Sequence, residues 1–204
     1  MVVKNLLRII SDYRFSLITV IFFELLYLIK GYKGNKFYFS SNDWMSDNIP
    51  CPYYFLFKIK KNLKNNDFSK FLDLGCGSGR VIDFFNKNFL DKNIIGIEYF
   101  TEQYTYCKKI FKEKKNIKII QADFTKSNFL QYDADCYFFN NPFKKDPEFT
   151  EFIERTINYS LKKKVLFIFV NYNKHIIGQL KNIHCIESFY ISDIKGYSIH
   201  TMSR

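Results

Sequence analysis

Three carboxylates and one glycine-rich loop are the residues of this chain whose types and spacing could do chemistry. Asp73 sits near the end of an apolar run and is followed by Gly75, Gly77 and Gly79, three of the chain's eight glycines within five residues. Missing Cβ atoms in such a loop permit a tight turn and close approach of backbone to a ligand. Glu98 closes a second apolar run, and Asp123 follows a third. Ligands of open α/β sheets bind beyond the carboxyl ends of the strands, so acids at three such ends would face a cationic ligand. A dinucleotide is the obvious competitor, but its GxGxxG loop needs glycine at position 80, where Arg80 stands. Its pyrophosphate also wants a helix N-terminus free of acids. Glu98 lies 19 residues after Gly79, close to the ~20 at which Rossmann-like folds place a ribose-binding acid.

The elements that must position these acids are legible as short apolar runs alternating with helical stretches. Strands are predicted at residues 70–74, 93–97, 117–121, 134–140 and 164–170, and helices near 79–90, 102–115, 147–161 and 174–181. Such alternation implies right-handed crossovers and a parallel sheet covered on both faces. The tail differs: residues 184–192 and 197–203 flank Asp193-Ile194-Lys195-Gly196, a hairpin signal, so the sheet ends in an antiparallel pair. Ahead of the first strand, Pro52 suits the first turn of a helix running to about Asn65.

With these residues in view the sequence resembles the class I S-adenosylmethionine-dependent methyltransferases over roughly residues 50–204. FLDLGCGSGR is similar to the family's first motif. The resemblance implies that Gly75, Cys76, Gly77 and Gly79 wrap the methionine part of the cofactor, with Asp73 beneath it. It implies that Glu98 holds the ribose hydroxyls with Tyr99 beside the adenine, and that Asp123 accepts from the adenine amine with Phe124 packed nearby. It also implies an α/β, Rossmann-like, seven-stranded and mostly parallel sheet in the order 3-2-1-4-5-7-6, strand 7 being antiparallel. S-adenosyl-L-methionine, which carries a sulfonium and an ammonium, is the expected cofactor; no metal is expected.

The fourth strand ends in DCYFFNNPF, which resembles the [DNS]PP[FYW] motif of methyltransferases acting on amino groups, with Asn141 in place of a proline. The chain is also similar to small bacterial methyltransferase-like proteins with NPF after that strand. Asn140, Pro142 and Phe143 are therefore the candidate catalytic residues. Transfer from a sulfonium is an in-line displacement that mainly requires alignment and desolvation of the acceptor, so no strong base is needed. The expected acceptor is an amino or hydroxyl group on a protein, metabolite or surface-glycan precursor. A nucleic-acid base, or a non-catalytic cofactor-binding module that assembles with a partner or membrane, is the alternative.

Composition bounds the rest. The chain has 204 residues, 47% of them hydrophobic and 20% aromatic, which excludes a disordered chain and fits one catalytic domain over residues 50–204 with an extension over residues 1–49. The net charge of +11 invites a nucleic-acid reading. Yet Lys, Asn, Ile, Phe and Tyr are abundant throughout, and lysine runs such as 112–115 and 162–164 fall at predicted helix ends, where cations complement the dipole. The five cysteines are scattered, without zinc-ligand spacing, which suits a reduced, cytoplasmic compartment. Residues 15–29, FSLITVIFFELLYLI, are the most apolar stretch, but hold Glu24 and fall short of the ~20 residues of a spanning helix. They read as a helix packed on the domain or on a second subunit, or as one lying in a membrane surface between flanking cations.

Overall fold

A computed structural model describes residues 17–36, 50–63, 66–126, 129–140, 146–160 and 164–203. In chain order the elements are α1 (Leu17–Ile29), α2 (Tyr53–Leu63), β1 (Lys70–Leu74), α3 (Arg80–Asn88), β2 (Asn93–Glu98), α4 (Thr101–Phe111) and β3 (Ile117–Gln121). A 3-10 turn (Phe129–Tyr132) leads into β4 (Cys136–Asn140), α5 (Asp146–Ser160), β5 (Leu166–Val170), α6 (Lys174–Gln179), β6 (Ile183–Tyr190) and β7 (Gly196–Met202). The strands form one sheet in the order β3-β2-β1-β4-β5-β7-β6. All pairings are parallel up to β5, and β7 runs antiparallel to β5 and β6. Fold class and strand order are those the sequence implied.

The central strands are buried on both faces, as helix-covered parallel strands must be. All five residues of β5, LFIFV, are buried, as are Cys136–Phe139 of β4. Side chains alternate between the faces. Leu72, Tyr137, Phe139, Phe167 and Phe169 meet α5 on one face, and Phe71, Ile94, Phe138 and Ile168 meet α1 to α4 on the other. Phe71 stacks on Phe85 of α3 with centroids 3.8 Å apart. Complete burial of one such ring is worth about 1.5–3 kcal/mol, and Val81, Ile82 and Phe84 of α3 enter the same core. Two strands begin later than the alternation predicts. In β4 the reason is Asp135, whose carboxylate accepts from the backbone N–H groups of Ser69 (2.9 Å) and Lys70 (2.8 Å) and from the Ser69 hydroxyl (2.7 Å), tying the strand's foot to β1. β5 begins at Leu166, where the ladder to β4 starts at Cys136.

The apolar N-terminal stretch does form a helix, and its inner face, Val20 and Tyr27, packs on α2 and α3; Tyr27 stacks on Tyr53 at 4.7 Å. Glu24, the acid in its middle, reaches Arg80 at the start of α3, with Oε2 2.9 Å from Nη1, and accepts from the Tyr53 backbone N–H at 2.8 Å. The chain leaving α1 then crosses the glycine loop. Gly34 has φ 78°, and a Cβ built there would lie 2.2 Å from the backbone nitrogen of Arg80. The Ser78 hydroxyl, 2.6 Å from the Gly34 carbonyl, donates to this crossing.

Gly34→Ala therefore meets both a left-handed backbone and a collision with main chain, and costs more than ~1 kcal/mol. A thermal melt should show the midpoint falling by several degrees. Gly178→Ala, on a helical site with open space around its Cβ position, should hold or raise it, by up to about 1 kcal/mol.

Candidate functional site

The site begins with the way β1 ends. Gly75, Gly77 and Gly79 adopt φ of 79°, 55° and 86°, all left-handed and therefore cheap only for glycine. The turn is pinned to the neighbouring strand, since the Gly75 and Cys76 N–H groups both donate to the Ile97 carbonyl at 2.9 Å. Gly79 has a second role: a Cβ there would lie 2.7 Å from Cys107 Sγ and from a Phe111 ring carbon, so its absence lets α4 approach the loop. Gly96 does the same within β2, where a Cβ would lie 2.8 Å from Cys76 Sγ. Cys76 consequently turns inward to Cys107; that hydrogen bond and burial raise its thiol pKa well above the ordinary value. It offers the site its backbone rather than a reactive sulfur.

Strand register decides which acids share this end of the sheet. Asp73 pairs with Gly96 and with Phe138, so Glu98 and Asn140, each two residues further along its strand, project to the same face as Asp73. Asp73 is 2% exposed, and its Oδ2 is buried without a hydrogen-bond partner. Burial, reinforced by the nearby Glu98 charge, raises its carboxyl pKa well above the usual range. Glu98 is also buried, but its oxygens are engaged: Oε2 accepts from the Gly77 N–H and Oε1 from the Phe100 N–H, both at 2.8 Å. Burial raises its pKa, while the N–H bonds from Phe100, Gly77 and Tyr99 oppose the rise. With three N–H groups bonded to it, the carboxylate keeps about one of its four lone-pair sites for a ligand hydroxyl.

Beyond the loop, Asn140 Oδ1 accepts from Asn171 Nδ2 at 3.0 Å, and Asn171 is held at φ 58°. A cavity of about 20 Å³ lies among Asp73, Gly75, Cys76, Ser78 and Asn140, room for about one small polar group. Tyr99 is 40% exposed at the end of β2. Asp123 accepts from the backbone N–H of Thr125 at 3.0 Å and from its hydroxyl, with Lys126 Nζ 3.5 Å away. Phe124 lies in the opposite-face core, its ring 5.3 Å from Phe152. Pro142 and Phe143 lie outside the described residues.

Sequence reasoning did not find the roles of Glu24, Gly34, Ser78 and Gly96. A signal existed for the first. A lone acid in an apolar helix needs a partner, and Arg80 sits at a helix N-terminus, against the dipole, so each anomaly accounts for the other. His200 is a core residue: its ring packs edge-on to Phe169 at 5.5 Å, and burial lowers its pKa to about 4, so it is neutral near pH 7.

The comparisons with known proteins agree with this geometry. Residues 71–162 match the family model of a methyltransferase domain. No match is found among curated proteins. A Staphylococcus aureus structure described as a candidate caffeoyl-CoA O-methyltransferase shares 14% identity, with 98% of each chain covered and a TM-score of 0.59. A Podospora anserina methyltransferase with SAH (S-adenosylhomocysteine) bound shares 13%, covering 76% of this chain and 80% of its own, at 0.56. A precorrin-6y C5,15-methyltransferase from Geobacter metallireducens shares 12%, covering 78% and 93%, at 0.53. These likenesses are of fold, and the matched family supplies the chemistry. Residues 71–162 are thus a methyltransferase domain, set in a seven-stranded sheet of the order β3-β2-β1-β4-β5-β7-β6.

Proposed function

We propose that this methyltransferase acts on an amino or hydroxyl group of a protein, metabolite or surface-glycan precursor, and that Asn140 positions that group. The observation that carries the reading is the cavity shared by Asp73 and Asn140 at neighbouring strand ends. The bound cofactor supplies a methyl group activated on a positively charged sulfur. The orphaned Asp73 oxygen fits its ammonium, which would satisfy the one buried acceptor the loop leaves open. Glu98 takes the ribose hydroxyls while the bond it accepts from the Gly77 N–H holds the loop in place. Tyr99 and Asp123, at the ends of β2 and β3, flank the adenine; Phe124 acts through the core beneath them.

At the acceptor, Asn140 Oδ1, held by the Asn171 amide at 3.0 Å, would accept from an N–H or O–H of the substrate. That bond turns the acceptor's own lone pair toward the methyl carbon, which is the alignment an in-line displacement needs. Asn is neutral at all relevant pH and cannot take the proton outright, which suits an amine or hydroxyl that loses its proton after attack. Pro142 and Phe143, which follow Asn140 in sequence, stay candidate catalytic residues on the strength of the NPF motif alone.

Asp73 and Glu98 should respond oppositely to loss of charge. Asp73→Asn removes a carboxyl that the fold must either bury charged or protonate, so the ligand-free protein should melt higher by a few degrees at neutral pH while S-adenosylhomocysteine affinity falls at least about tenfold, roughly one charge-assisted hydrogen bond. Glu98→Gln deprives the Gly77 or Phe100 N–H of its acceptor, and the melting midpoint should drop together with affinity. Thermal melts with and without S-adenosylhomocysteine check both. Asn140→Ala should leave that affinity within about threefold and cut label transfer from methyl-labelled cofactor into fractionated lysate by about 100-fold. Unchanged transfer would remove Asn140 from the reaction.

A further inference from the structure

We infer that the outer face of α1 is a docking surface for an anionic phospholipid bilayer, and that this chain works at a membrane surface. α1 is apolar all round, LITVIFFELLYLI, and such a helix is normally enclosed. Only its inner face is. Ile18, Ile21, Phe22, Leu25, Leu28 and Ile29 recur at helical spacing along the other side and are between 49% and 84% exposed. Phe57 of α2, its ring 5.0 Å from Phe23 and 41% exposed, extends the stripe onto the neighbouring helix.

Charge selects the occupant. Glu24 is the only acid in α1 and α2, and its carboxylate is taken inward by Arg80 and the Tyr53 N–H. Around the stripe stand cations: Lys30 directly after the helix, Lys61 one turn beyond Phe57, and Lys58, whose ammonium lies 3.9 Å from the Phe189 ring centre. An apolar face with a basic border suits the headgroup layer of a negatively charged bilayer, where each lysine adds about as much as the next. A second copy fits worse, because a twofold contact would set these lysines against their equivalents in two chains that each carry +11. Thirteen residues rise ~20 Å, short of the ~30 Å hydrocarbon layer, and no helix among the described residues is long and apolar enough to cross a membrane. With its inner face packed on α2 and α3, α1 has one side to offer and lies along the surface. Because it also grips Arg80 and leads into the Gly34 crossing, docking holds the glycine loop about one helix diameter, ~10 Å, from lipid.

The test is sedimentation of the full chain with vesicles of phosphatidylcholine alone or mixed with phosphatidylglycerol, with light scattering on the lipid-free protein. A monomer should pellet with the mixed vesicles, bind them about tenfold more weakly in high salt, and bind the neutral ones poorly. Phe22→Ser with Leu25→Ser should cut partition at least tenfold without changing the melting midpoint. Should that pair disturb folding, Lys30→Glu with Lys61→Glu, both exposed, should weaken binding to the mixed vesicles by about tenfold or more. Wild-type protein that does not pellet with the mixed vesicles overturns the proposal. So does a dimer that Phe22→Ser with Leu25→Ser splits, which would give the face to a second copy.

Discussion

Two carboxylates buried at the ends of adjacent parallel strands set the terms for the rest of this structure. Asp73 and Glu98 point to the same face, the Glu98 charge disfavours ionisation of Asp73, and water reaches neither freely. A fold does not keep such a pair for stability, since an uncompensated buried charge is costly. Glu98 is compensated from within, by the N–H groups of Gly77 and Phe100, and in accepting them it shapes the loop that a cofactor must meet. Asp73 is compensated by nothing the chain offers to its Oδ2. One acid builds the site and the other waits for a cation.

The surrounding architecture serves that asymmetry. Left-handed glycines let β1 turn sharply into α3, and Gly79 and Gly96 omit the atoms that would push α4 and Cys76 away. On the outside, α1 and the crossing at Gly34 press the same loop from above through Glu24, Arg80 and Ser78. The N-terminal extension is thus part of how the site is held, although the family match covers only residues 71–162.

Local signals carried the fold a long way. β1 and β3 match their predicted limits residue for residue, because each is an apolar run bounded by polar residues, and the hairpin turn at 193–196 closes where its turn residues stand, with Ile191 N–H donating to the Lys195 carbonyl at 2.7 Å. Boundaries slipped where a side chain far away in sequence intervened, as Asp135 does by bonding to Ser69 and Lys70. The acids of the site were visible because strand ends are visible. Their inequality was not: that Glu98 is engaged by backbone while Asp73 is left open depends on the loop's path. The reach of Glu24 to Arg80, 56 residues away, leaves no periodic trace. Phe124 shows the converse, since a residue next to Asp123 in sequence faces the opposite core.

Isothermal titration of S-adenosylhomocysteine into the full chain, repeated in buffers of different ionisation heat, tests the central claim most directly. Burial and Glu98 raise the Asp73 pKa, so below that raised value the free protein holds a proton the unfolded chain would release. A cationic ammonium favours the ionised form and expels it. The account predicts one-to-one binding with proton release that vanishes in Asp73→Asn, and affinity that strengthens as pH rises through the Asp73 pKa. Absence of binding, with a dinucleotide bound instead, would contradict it, as would binding whose proton release is the same in Asp73→Asn.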